Sequence, residues 1–274
     1  MNPTYEDQLL KLEAVPNARQ LGGYINKNGK RVKKDRLIRT GGLYQATPSD
    51  VIKLSQEIGI KVLFDLRSDS ENTIKTDKDI PGAEYINLDL LKNINNQEIK
   101  KLFKEKNQDK SEENSVLRLA GNQIFIDYIS DLYNRLINDE VAQTLLHRLF
   151  KITLATKGAP VLWHCTYGKD RTGIVAWLML HILEVDMTTI KEDYLRTNIS
   201  YQSSITKMVD LAKSKKYTEK QIWAVKSMVG VAEESFDNAI ENINKNYGGM
   251  TSYIRNQIKL TQEDIELFKE YYLE

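Results

Sequence analysis

The stretch Val161-Leu-Trp-His-Cys-Thr-Tyr-Gly-Lys-Asp-Arg-Thr-Gly173 constrains the fold more than any other part of the chain. Ala159-Pro-Val-Leu-Trp163 is a short β-rich apolar run and reads as a buried strand. It runs into His164-Cys165, and a helix is predicted from about Gly173, continuing through the apolar residues Ile174 to Leu183. Ile60-Lys-Val-Leu-Phe-Asp-Leu66 is a second strand of the same kind and ends in Asp65-Leu-Arg67. Strands alternating with helices early, then a helical C-terminal third, give α/β layers with a helical cap.

The remaining sequence fills in that frame. Asn17-Ala-Arg-Gln-Leu-Gly-Gly23 and Asn26-Lys-Asn-Gly29 carry turn signals, and Leu37-Ile-Arg39 leads into Thr40-Gly-Gly42. A helix is predicted from about Pro48 to Ile58, capped by Thr47 or Ser49 and stopped by Gly59. Ile124, Tyr128, Leu132 and Leu136 recur at helical spacing, and Val141, Leu145 and Leu149 repeat it in the next helix. Thr189-x-x-Glu192, Thr218-x-x-Gln221 and Thr261-x-x-Asp264 look like capping boxes, and Gly248-Gly249 separates the last two helices. Of the 22 residues 93–114, 17 are charged or amide, and the stretch is expected to form a solvated insertion or exposed helix outside the core, either a lid or a surface loop.

Composition excludes several functions. The chain has 274 residues with 39 Lys+Arg against 38 Asp+Glu, so no basic surface supports nucleic-acid binding. One cysteine, Cys165, rules out an intrachain disulfide, and three widely spaced histidines make no zinc site, so no metal is expected. No secretory signal opens the sequence, and its most apolar stretch falls short of the roughly 20 residues that span a bilayer. The expectation is a cytoplasmic protein without a transmembrane segment, or one exported without a recognisable signal.

The chemistry concentrates at Cys165. A loop of this length between strand and helix can turn its N–H groups inward as a nest for an anion, and the helix N-terminus adds a positive field. The candidate phosphate-binding residues are Thr166, Tyr167, Gly168, Lys169, Asp170 and Arg171, with Gly168 allowing the sharp bend and Arg171 supplying a planar bidentate donor. A thiol at such a focus becomes a nucleophilic thiolate that can attack phosphorus. Thr172 is expected to hydrogen-bond the sulfur, Asp170 to act as general acid, and His164 to position the loop. His147, His181, Trp163, Trp177 and Trp223 read as structural.

His164-Cys-Thr-Tyr-Gly-Lys-Asp-Arg171 resembles the His-Cys-x5-Arg signature of cysteine-dependent phosphatases, and with Thr172-Gly173 it is similar to the bacterial tyrosine phosphatases secreted by Mycobacterium and Listeria. Asn17–Gly23, Leu37-Ile-Arg-Thr-Gly41, Asp65-Leu-Arg67 and the C-terminal tyrosines resemble further motifs of that family. The resemblance implies a single phosphatase domain over residues 1–274, with a central, mostly parallel sheet flanked by helices. It implies Cys165 as nucleophile, Arg171 as phosphate clamp, Asp170 as acid, and Asp65 and Arg67 as support, with no cofactor. Phosphotyrosine protein is the implied substrate. A phosphoinositide is the alternative, through Lys169. Two departures stand out: Tyr167 replaces a small loop residue, and no Trp-Pro-Asp loop supplies the acid.

Overall fold

The computed structural model describes residues 1–94, 97–106 and 111–274. Its sheet runs β1 (Arg19–Gln20), β2 (Leu37–Thr40), β3 (Val62–Asp65), β4 (Glu84–Asn87) and β5 (Val161–His164) along the chain. In space the order is β1-β2-β5-β3-β4, with only β1 antiparallel. The last strand therefore inserts between two earlier ones. Both faces of the sheet are covered, which is why its central strands are apolar without alternation. Leu37, Val62, Phe64, Val161 and Trp163 face the larger core, and Ile38, Leu63 and Leu162 face a smaller one.

Helix α1 (Tyr5–Gln8), helix α2 (Pro48–Ile52) and helix α3 (Asp69–Ile74) lie in the first third. Thr47, not Ser49, caps α2, whose Asp50 closes the capping box. The predicted helix to Ile58 does not stay regular: Lys53–Glu57 widens into a π turn before Gly59, at φ 72°, ends it. Helices α4 (Gln97–Lys106) and α5 (Glu112–Ala120) occupy much of the charged stretch 93–114, whose residues 95–96 and 107–110 lie outside the described ones. The expectation that this stretch avoids the core needs correction. Ile94, in the turn before α4, and Ile99 on α4 are both buried in the larger core, with Leu102 of α4 packed against it, because the apolar residues of α4 fall at helical spacing.

Helices α6 (Gln123–Asn138) and α7 (Glu140–Ala155) follow the predicted periods and pack on the larger core. After β5 comes α8 (Asp170–Ile182), which starts three residues before Gly173 and so takes Asp170 and Arg171 into its first turn. Helix α9 (Met187–Ser200) is capped by Asp186, whose carboxylate accepts from the Thr189 N–H. Thr189-x-x-Glu192 is therefore not its capping box. Helices α10 (Gln202–Ser214) and α11 (Glu219–Val229) form a hairpin that packs with α5 and α6 in a third apolar cluster. Gly248-Gly249 divides α12 (Glu233–Tyr247) from α13 (Met250–Asn256), and a further helix, α14 (Gln262–Tyr272), follows. Thr218 and Thr261 close the two expected capping boxes of α11 and α14. No helix among the described residues is long and apolar enough to cross a membrane.

Leu162 sits on the central strand, fully buried against the smaller core. Leu162→Ala should therefore destabilise the protein by about 2–5 kcal/mol. Urea unfolding measures this, and a loss under 1 kcal/mol (about one methylene's worth) would contradict the placement.

Candidate active site

Thr40, His164 and Asp65 stand in register across β2, β5 and β3, so three strands end level. Their C-terminal ends open at the point where the strand order reverses, which is where α/β sheets build sites. Cys165 follows β5 directly and is a free thiol, 2 % exposed. Trp163 ties strand to helix by donating Nε1–H to the Thr172 carbonyl at 3.0 Å.

The connecting loop is shaped from outside by donors to its carbonyls. Thr166 O accepts from the Gly42 N–H at 3.2 Å, and Tyr167 O from the Tyr201 hydroxyl at 2.8 Å. Gly168 O accepts from Asn17 Nδ2 at 2.7 Å and Arg39 Nη2 at 3.0 Å. A planar trans peptide puts the next N–H on the side opposite its carbonyl, so the N–H groups of residues 167–169 turn to the inner side. The result is a nest beside the α8 N-terminus. Gly168 has φ 64°, and an added Cβ would lie 2.4 Å from Thr40 O, so no side chain fits.

Arg171 is held end-on by a residue the sequence reading missed. Its Nη1 and Nη2 donate to Glu71 Oε2 and Oε1 at 2.8 and 2.7 Å, and Nη1 also reaches Leu66 O at 3.1 Å. Thr166 Oγ1 donates to Glu71 Oε1 at 2.5 Å. This fixes the guanidinium by one edge and leaves its Nε edge for an oxyanion. Glu71 is aimed by its own helix start: it closes the α3 capping box, accepting from the Ser68 N–H at 3.1 Å. The Ser68-x-x-Glu71 spacing just after Asp65-Leu-Arg67 is the sequence signal that marks it. Burial opposes ionisation of Glu71, but the charge and hydrogen bonds of Arg171 outweigh it and hold the carboxyl well below its usual range.

Asp170 is the first residue of α8, its side chain 22 % exposed, with Oδ1 accepting from the Tyr133 hydroxyl at 2.7 Å. The Lys169 side chain does not reach the phosphate cradle, and what residue 169 offers there is its backbone N–H. Its buried ammonium donates to the carbonyls of Ser227, Met228 and Gly230 at 2.6–2.8 Å, capping the C-terminal end of α11. The expected bond from Thr172 to the sulfur is also not formed: its Oγ1 is buried without a hydrogen bond among the described residues. Tyr167 turns its hydroxyl to Glu112 of α5 at 2.7 Å, which brings the charged stretch against the loop. Asp89 interacts electrostatically with Arg171 and Glu71, and burial raises its carboxyl.

Asp65, Arg67 and His164 lie beneath the loop, fully buried. Arg67 donates to Asp65 at 2.8 Å and to Asp77 at 2.5 Å, and His164 Nε2 lies 3.1 Å from Asp77 Oδ2. Asp65, Asp77 and His164 bring three metal-ligating atoms together, but the Arg67 cation already sits on both carboxylates and would oppose a second one. Asp193 plays the matching part on the other side, pairing Arg19 at 3.2 Å and Arg39 at 2.7 Å.

A family model described as "Tyrosine phosphatase family" matches residues 10–274. The triple specificity protein phosphatase PtpB of Mycobacterium tuberculosis is 33 % identical over 136 residues, 47 % of this chain. That match spans about half the length of the mycobacterial protein, 49 % of it. A putative tyrosine-protein phosphatase of Cupriavidus necator is 24 % identical over 268 residues, 96 % of this chain and 88 % of its own.

The Glu71 carboxyl, depressed in the fold, contributes stability that is fully present above the ordinary carboxylate range and is lost as pH falls below that range toward the lower folded value. Glu71→Gln should cost about 1.5–3 kcal/mol at neutral pH. The gap to the parent protein should narrow below about pH 4. Urea midpoints across that range provide the check, and a gap that holds constant to low pH would refute the pairing.

Proposed function

The chain belongs to the tyrosine phosphatase family, and from that premise we propose that it hydrolyses phosphotyrosine through a phosphocysteine on Cys165, without a metal ion. The observation that carries this reading is the outward hold on the carbonyls of Thr166, Tyr167 and Gly168, which leaves inward N–H groups beside the thiol. A phosphoryl dianion sits in that nest with the free edge of Arg171 on its oxygens. Cys165 Sγ attacks phosphorus in line as the bond to the phenolic oxygen breaks. Asp170 gives its proton to that oxygen, then accepts one from the water that cleaves the phosphocysteine. Preorganised donors aimed at the developing charge provide the largest share of the acceleration.

Asp170 is favoured over Asp89 as acid because it adjoins Arg171 in the α8 first turn and has a fixed hydrogen-bond partner. The phosphoinositide alternative asks Lys169 for a second phosphate. With that ammonium held by three carbonyls, no observation favours it. Action on phosphoserine or phosphothreonine is compatible with the same steps, since the nest contacts only the phosphoryl group.

Purified protein should hydrolyse an aryl phosphate equally well with excess chelator. Cys165→Ser should lower kcat by more than about 10⁴-fold while phosphopeptide binding is retained. Steady-state kinetics and calorimetry decide the matter. Undiminished turnover in the serine variant, or loss of activity in chelator, would remove the basis of this reading.

A further inference from the structure

We propose that Tyr133 is a positioning residue for proton donation: by holding Asp170 Oδ1 it makes Oδ2 the oxygen that hands its proton to the leaving group. The proposal rests on the reading of Asp170 as the acid. Tyr133 belongs to α6, far from the signature loop in sequence, and its hydroxyl lies 2.7 Å from Asp170 Oδ1. A neutral carboxylic acid accepts at its carbonyl oxygen and donates from its hydroxyl oxygen. A phenol that donates to Oδ1 therefore assigns the carbonyl role there and leaves the acidic proton on Oδ2.

The phenol cannot swing away from this duty. Its ring stacks on Trp177 with centroids 5.4 Å apart and planes 13° apart. Tyr194 packs edge-on at 6.0 Å and brings its hydroxyl to 3.1 Å from that of Tyr133. The same Tyr194 hydroxyl is anchored 3.1 Å from the Ala232 carbonyl, and Phe236 closes the aromatic cluster against Trp177 at 4.7 Å. Tyr133 is buried, so water does not compete for its proton. On the other side Lys169 Nζ stands 3.6 Å from Oδ2, too far for a hydrogen bond, while its donors serve three carbonyls. Oδ2 is thus left for the substrate.

In the first half-reaction the Sγ–P bond forms, the P–O bond breaks, and the proton on Oδ2 passes to the departing oxygen. Asp170 is then a carboxylate, with Tyr133 still donating to Oδ1. Without the phenol the carboxyl rotates, and the proton is presented to the leaving oxygen for only part of the time. Leaving groups that need protonation suffer, whereas those stable as anions do not.

The test compares kcat/KM of the full chain on phenyl phosphate and on 2,4-dinitrophenyl phosphate, for Tyr133→Phe, Asp170→Asn and Asp89→Asn. Tyr133→Phe keeps every ring contact and removes one oxygen. It should lose about tenfold on phenyl phosphate and under about twofold on the dinitrophenyl ester; Asp170→Asn should show the same selectivity with a loss of about 10²-fold or more. Selective loss in Asp170→Asn but equal or no loss in Tyr133→Phe overturns the proposal and spares the acid. Unselective behaviour in Asp170→Asn overturns the acid assignment along with it, and selective loss in Asp89→Asn would then name Asp89 as the donor.

Discussion

Holding the carbonyls of residues 166–168 outward is the constraint on which the rest of the site depends. A peptide plane can flip, and a flipped plane places a carbonyl oxygen where an oxyanion must sit. Each plane here is pinned by a donor from elsewhere in the chain: the Gly42 amide, the Tyr201 hydroxyl, and the Asn17 and Arg39 side chains. The loop does not carry its own shape. It is a mould impression of β2, α9 and the segment before β1.

Arg19, Arg39 and Arg67, one from each of the short N-terminal motifs, are all fully buried. Sequestering a guanidinium costs several kcal/mol, and an apolar residue could hold the strands as well. What an apolar residue cannot do is donate to a carbonyl or aim a carboxylate. Arg39 joins Asp193 to the Gly168 carbonyl, and Arg67 joins Asp65 to Asp77 beside His164. Burial lowers Arg39 to about 10, opposed by Asp193, and it stays charged at neutral pH. For Asp193, burial favours the neutral form, but Arg19 and Arg39 outweigh it and keep the carboxyl below its usual range. These charges are internal struts, whereas Arg171 leaves its Nε edge for a ligand.

Much of this was legible in the sequence because it is local. The strand before Cys165, the periods of α6 and α7, the Thr218 and Thr261 caps and the glycine at residue 168 follow from short-range pattern. What escaped depends on long-range contact. Glu71 reads as a surface carboxylate on a short helix until Arg171, 100 positions away, meets it. Tyr133 reads as one more residue on an apolar face, and its hydroxyl gains meaning only beside Asp170. Lys169 has the composition of a phosphate ligand, yet the open C-terminal end of α11 claims it first. Composition also misled over residues 93–114, since Ile99, with Leu102 beside it, suffices among many charges to anchor α4 on the core, and Ile94 is buried in the turn before it.

The most direct measurement is to trap the reaction midway. Rapid acid quenching during turnover of an aryl phosphate, followed by peptide mass analysis, should find one phosphoryl group on the peptide carrying Cys165. That product follows if the sulfur faces the anion nest and attacks phosphorus. A phosphoryl group on another side chain, or steady turnover with Cys165 never modified, would contradict the account.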